Sequence, residues 1–187
     1  DHAVAGHGGA LILKMNSLVD QKLIALLYEA SQAGVEIDLL VRGVCCLRPG
    51  VPGVSETIRV KSLVGRFLEH SRIYWFANNG EPDVYIGSAD LMPRNLDRRV
   101  EVLAPVEAPA LVKRMREEIL GTYLADNVRT RRMLPDGTYE RLAPAEGEEA
   151  LDSQEALLAI RRAVKPRRRK KAKVGTVARK KGSRSKG

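Results

Sequence analysis

Two strand-length apolar segments enclosing one helix-length segment, with almost no connecting chain, limit this polypeptide more than any other feature. Residues 11–14 (LILK) belong to an apolar run that reads as a buried strand. Leu23, Leu26, Leu27 and Ala30 recur at helical spacing and predict an amphipathic helix over about 18–33. Asn16, Ser17 and Asp20 are candidate caps, and Gly34 fits the stop. Residues 35–41 (VEIDLLV) are again a strand. Strand, helix and strand joined this closely form a βαβ unit, which implies parallel pairing. The fold class is therefore α/β.

The rest of the chain reads less evenly. Residues 47–57 hold two Pro and two Gly and predict a loop. Residues 58–68 read as a strand turning into a short helix, and 71–76 as β-rich. Asn78-Asn79-Gly80 is a turn signal, with strands expected at 84–86 and 99–103. Pro105 and Pro109 bracket the start of a helix reaching about Leu124. Segments 128–132 and 138–142 flank Pro135-Asp136-Gly137, a hairpin signature. An acidic linker follows over 144–149, and Asp152 caps a last helix near 153–164.

Charge divides the chain sharply. Twelve of its 32 Lys and Arg lie in 165–187, which contains no Asp or Glu. The other 164 residues carry 20 basic and 23 acidic side chains, so the net charge of +9 belongs to the tail and not to the fold. That tail is almost free of apolar residues and is predicted to be disordered. The expected organisation is a flexible lead (1–9), a main domain (10–125), a hairpin and helix packed on it (126–164), and the basic tail (165–187). The absence of an initiating Met, with a strand directly after the lead, suggests a chain cut from something longer.

No run of about 18 apolar residues predicts a membrane span. Cys45 and Cys46 are adjacent and read as reduced thiols of a cytoplasmic protein. No metal site is expected, because no further Cys or His pair stands at ligand spacing.

Three places carry polar residues suited to phosphate. Arg42-Gly43 follows the second parallel strand, and ligands of open α/β sheets bind beyond such strand ends. An Arg there offers a planar fork to phosphate oxygens; the plainer reading is a surface residue. His70 lies in Glu69-His70-Ser71-Arg72, and in a strand Arg72 would share its face. Histidine can carry a proton at neutral pH or attack phosphorus; the plainer reading is a structural residue. Gly87-Ser88-Ala89-Asp90 exposes backbone N–H groups and a hydroxyl after a strand. Arg94, Arg98 and Arg99 follow it, with Asp90 or Asp97 to orient them, unless the loop is simply laced with ion pairs.

The segments 11–20 (LILKMNSLVD), 29–53 (EASQAGVEIDLLVRGVCCLRPGVPG), 58–76 (IRVKSLVGRFLEHSRIYWF) and 84–102 (VYIGSADLMPRNLDRRVEV) resemble the final domain of bacterial polyphosphate kinases. The resemblance runs from about 10 to 125 and continues more weakly to about 164. It implies a phospholipase-D-like mixed sheet flanked by helices. His70-Ser71-Arg72 and Gly87-Ser88-Ala89-Asp90 stand where phospholipase D half-sites have His-x-Lys and Gly-Ser with Asn. The Arg and Asp departures argue against ordinary phosphodiester cleavage by paired copies of His70.

The resemblance further implies ATP contacts at Arg42 and His70, with His70 catalytic, and phosphate contacts at Arg72, Ser88, Arg94 and Arg98. It implies ATP/ADP and inorganic polyphosphate as partners, a homo-oligomer in the full-length family, and Mg2+ entering with ATP. The family's nucleophilic histidine and magnesium ligands lie in a preceding domain; His2 and His7 match no motif of the family. The chain is thus expected to be incomplete as a catalyst alone. A different class of function is a non-catalytic module that holds polyphosphate or nucleic acid.

The charge distribution generates a test. Deleting 165–187 is expected to weaken polyphosphate binding and to flatten the fall of log K with log salt, because fewer counterions are released. Unchanged affinity and slope in a salt titration would remove the tail from the binding surface.

Overall fold

The computed structural model describes residues 9–163. Residues 1–8 of the expected lead and all of the expected basic tail (165–187) lie outside the described residues, while Gly9, expected to close the lead, belongs to the first strand.

The βαβ unit forms as its pattern demands. β1 (Gly9–Met15) and β2 (Val35–Val41) pair in parallel, from Gly9 opposite Val35 to Met15 opposite Val41. Between them runs α1 (Gln21–Gln32). The helix starts later than its apolar spacing suggests, because Leu18 is drawn into the core, fully buried and bridged to Cys45 and Leu91. Asp20 is the cap, its Oδ1 accepting the Leu23 N–H at 2.9 Å. Gly34 ends the helix at φ +84°, a left-handed conformation that a side chain would resist.

β3 (Ile58–Leu63) adds in parallel to β2. The other strands are antiparallel to their neighbours: β4 (Arg72–Phe76) against β1, β5 (Asp83–Gly87) against β4, and β6 (Leu103–Pro105) against β5. On the far side, β7 (Thr130–Met133) pairs with β3 and β8 (Tyr139–Arg141) closes the predicted hairpin. The eight strands form one mixed sheet in the order β6-β5-β4-β1-β2-β3-β7-β8.

Alternation along the strands sends side chains to two apolar layers. Leu13, Met15, Ile37, Leu39, Val41, Val60 and Tyr74 pack with Leu27 of α1. Ile12, Leu40, Leu63, Ile73, Trp75 and Val84 pack with Leu120 and Tyr123 on the opposite face. Those last two belong to a helical rod made of α3 (Pro109–Arg114), a π-helical stretch (Met115–Leu120) and α4 (Gly121–Ala125). It begins at Pro109, where the missing N–H costs nothing. α5 (Ser153–Ala163) reaches the same layer through Leu157.

Two expectations are corrected. No helix follows β3: residues 64–71 are irregular, and the Phe67 N–H and C=O are bonded to the side-chain amide of Gln154 instead of to a helical ladder. The strand expected at 99–103 is displaced to β6, and a short helix, α2 (Pro93–Arg98), precedes it. Glu101 accepts hydrogen bonds from Ser88 and Asn95, and the Val102 carbonyl accepts the Ser88 N–H at 3.0 Å, so side chains and one backbone bond hold that approach.

Asp126 fastens the hairpin and α5 to the rest. It is 1% exposed; its Oδ1 accepts the N–H groups of Val128 (3.0 Å), Arg129 (2.7 Å) and Thr130 (3.1 Å), and its Oδ2 that of Ser153 (2.8 Å). Asp126→Ala strands these donors and is expected to lower stability by about 3 kcal/mol in urea unfolding. A loss below about 1 kcal/mol would show that other contacts anchor this part of the chain.

Candidate functional site

The parallel strands β1 and β2 end beside the start of antiparallel β4 and the end of β5, so four segments meet at one end of the sheet. Asn16, just past β1, joins them. Its backbone N–H donates to Asp90 Oδ1 at 2.8 Å, and its side-chain Oδ1 accepts Arg42 Nε at 3.1 Å. Its carbonyl accepts the Gly43 N–H at 2.7 Å. A Cβ at Gly43 would sit 3.0 Å from that oxygen, which explains the Gly after Arg42.

Arg72 and Asp90 form a two-pronged pair, Nε to Oδ1 and Nη2 to Oδ2, each 3.1 Å. Both side chains are only 10% exposed. Burial raises the Asp90 carboxyl's pKa, but the Arg72 guanidinium and the Asn16 N–H outweigh it and hold the group below the usual carboxylate range. Arg72 Nη1 donates to the His70 carbonyl at 3.0 Å and lies 3.1 Å from His70 Nδ1. The same Nη1 is 3.5 Å from Nε2, so the guanidinium lies over the face of the imidazole and not on the lone pair of one ring nitrogen. A hydrogen-bonded chain thus runs from Arg42 through Asn16, Asp90 and Arg72 to His70.

A second pair lies beneath it. Lys14 points from β1 into the apolar layer beside Tyr123, 4% exposed, and meets Glu69 Oε2 at 3.0 Å. Burial lowers the ammonium's pKa, with Glu69 opposing and Arg42 and Arg72 adding to the fall. Lys14 also donates to Ser71 Oγ at 2.9 Å.

The remaining candidates divide. Ser88 is exposed; its hydroxyl donates to Glu101 and accepts the Val102 N–H at 3.0 Å, so its proton is already committed. Arg94 and Arg98 are exposed on α2 and take no part in the chain from Arg42 to His70. Asp90, expected with Asp97 to orient Arg94, Arg98 and Arg99, pairs instead with Arg72. Sequence reasoning missed Lys14, whose signal was a lone charge inside a buried apolar strand. It took Asn16 only as a helix cap. Gln154, which reaches Glu69 at 2.7 Å, carried no signal.

Among the described residues no cluster of His, Cys, Asp or Glu suits a metal ion. The nearest carboxylates do not fit one either, since Glu69 is paired with Lys14 and Asp90 with Arg72. No described helix is long and apolar enough to cross a membrane.

A mixed sheet flanked by helices, whose parallel strands end on a cluster of arginine, histidine and lysine, defines a domain of the α/β class. The chain belongs to the family of polyphosphate kinase C-terminal domain 2, whose model matches residues 1–154. Its sequence is 55% identical over 159 residues to polyphosphate kinase of Thermosynechococcus vestitus, covering 85% of this chain and 22% of that protein. The crystal structure of polyphosphate kinase from Porphyromonas gingivalis superposes with a TM-score of 0.82 at 42% identity, over 87% of this chain and 24% of the other. A phospholipase D family member, Nuc from Salmonella typhimurium, aligns with 58% of this chain and 74% of its own at a TM-score of 0.45 and 14% identity. The chain spans about a fifth of the length of the kinases it matches.

The Arg72–Asp90 pair generates a pH prediction. A carboxyl held low in the folded state stabilises it above the unfolded pKa of about 3.9, and that stability is lost as pH falls through the lower folded value. Asp90→Asn is expected to cost about 2–3 kcal/mol at pH 7 and to flatten the acid limb of the stability profile. An unchanged acid limb in urea melts from pH 7 to 2 would refute the assignment.

Proposed function

We propose that this chain supplies the phosphate-binding half of a site that moves the terminal phosphoryl group of ATP reversibly to inorganic polyphosphate. The observation that carries the reading is the uncompensated charge of Arg42. Among the described residues its guanidinium is tied only at Nε, to an amide oxygen, while Arg72 and Lys14 are neutralised by carboxylates. Arg42 therefore keeps its charge and the rest of its fork for phosphate oxygens. His70, linked to it through Asn16, Asp90 and Arg72, stands exposed at the end of that chain.

In the proposed reaction a histidine from outside this chain attacks the γ-phosphorus of ATP, and the bond from phosphorus to the β,γ-bridging oxygen breaks. Arg42 holds the phosphates, and His70 donates to the departing ADP oxygen as hydrogen-bond partner or general acid. The phosphoryl group then passes to the terminal oxygen of polyphosphate. Such transfer depends on positioning and charge stabilisation, which these side chains provide. Magnesium, on this reading, travels with ATP and takes no ligand from the described residues. On this reading the exposed Arg94 and Arg98 of α2 add positive charge for phosphate, and Ser88 reaches it only by releasing Glu101. The basic concentration in 165–187 favours a second reading, a non-catalytic module holding polyphosphate or nucleic acid.

The test is transfer by the purified chain from radiolabelled ATP with magnesium and short polyphosphate, beside calorimetric binding of tripolyphosphate. The chain alone is expected to gain no label and to extend no polyphosphate. Arg42→Ala and His70→Ala are each expected to weaken tripolyphosphate binding about tenfold, the loss of one charge-assisted contact. Extension abolished by His70→Ala would mean that the chain finds a nucleophile by self-association. Unaltered binding in both variants would leave the polyanion-module reading in place of the half-site.

A further inference from the structure

The loop that delivers His70 has no regular structure of its own, yet it is held from a helix 87 residues further along the sequence. Gln154, near the start of α5 and 6% exposed, lays its amide on this loop. Its Oε1 accepts the Phe67 N–H at 2.9 Å; its Nε2 donates to the Phe67 carbonyl at 2.8 Å and to Glu69 Oε1 at 2.7 Å. The other Glu69 oxygen is taken by Lys14, which also holds Ser71. Both neighbours of His70 are thereby pinned, while the His70 side of the loop faces solvent.

We infer that Gln154 is a positioning residue for His70, fixing the loop so that the imidazole stands against Arg72 within reach of phosphate. The inference rests on the phosphate-binding reading above. An amide suits the task because Phe67 presents one donor and one acceptor, and Gln154 answers each with the opposite group. A carboxylate at 154 could not answer the Phe67 carbonyl and would face Glu69. Gly65 completes the device. A Cβ there would lie 2.5 Å from Gln154 Oε1 and 2.8 Å from its Cδ, so any side chain at 65 pushes the amide off the loop. Glu69, Lys14 and Gln154 are buried together, and buried polar groups this closely matched hold one geometry rather than several.

Two variants test this in the full chain. Gln154→Met keeps length and bulk but removes the hydrogen bonds; Gly65→Ala keeps the amide but displaces it. Leu27→Ala, on the opposite face of the sheet, serves as a control that lowers stability without touching the loop. Tripolyphosphate affinity by calorimetry and the His70 ring-nitrogen resonances are read at a temperature where every variant is folded. Both loop variants are expected to weaken tripolyphosphate about tenfold and to shift the His70 resonances, as a misplaced contact group does. Leu27→Ala should do neither. If Gln154→Met does not fold, Gly65→Ala decides alone. Wild-type affinity and resonances in the loop variants, or changes equal to those of Leu27→Ala, overturn the inference. His70→Ala separates the two claims: if it and Arg42→Ala both leave affinity unchanged, the phosphate-binding reading falls and this inference with it. If it weakens binding while the loop variants do not, only the role of Gln154 falls.

Discussion

The Asp90 carboxylate gathers the working end of this molecule by accepting both prongs of Arg72 and the backbone N–H of Asn16. Three segments distant in sequence, the end of β1, the start of β4 and the turn after β5, converge on that one group. Breaking such a buried pair costs more than forming it gains, because a charge is left without water or partner. The constraint therefore acts chiefly on geometry. It sets where Arg72 stands, and Arg72 in turn sets the carbonyl and ring of His70. Lys14 and Glu69 repeat the arrangement one layer deeper. With two cations balanced, the charge of Arg42 is the one left open along this chain of contacts.

The order of strands explains why these groups can meet at all. β1 and β2 run in parallel and deliver their carboxyl ends to the same edge; β4 and β5 are inserted antiparallel on the other side of β1. The start of β4 thus lies beside the end of β1. Apolar layers on both faces of the sheet give the strands little freedom to slide, since a shift of one residue would turn each core side chain to the wrong face.

The parts of the fold governed by local chemistry were legible in the sequence. Apolar spacing gave α1, continuous apolar runs gave β1 and β2, and Pro135-Asp136-Gly137 gave the β7–β8 hairpin. The departures occur where distant side chains replace local bonding. Residues 64–71 lack a helix because Gln154 takes the Phe67 backbone, and the approach to β6 is held by Glu101. The candidate site shows the same division. Arg42, His70 and Arg72 stood out by residue type and position, and the structure links them. The groups that hold them are less conspicuous: an amide read as a helix cap, a lysine inside a strand, and a glutamine in the last helix. Their importance comes from burial and from partners up to 87 residues away, which periodicity cannot reveal.

The π-helical stretch Met115–Leu120 has a consequence for redesign. Such a stretch widens the helix by one residue relative to regular α-helix. Here it is followed within three residues by Tyr123, whose ring lies 4.8 Å from the Lys14 ammonium. Forcing the stretch into regular α-helix with its residue count unchanged would swing every later side chain through about 100°. Tyr123 would leave the lysine, and water would enter beside the Lys14–Glu69 pair. A more regular rod and a dry lysine are therefore compatible only if the extra residue of the wide turn is removed as well.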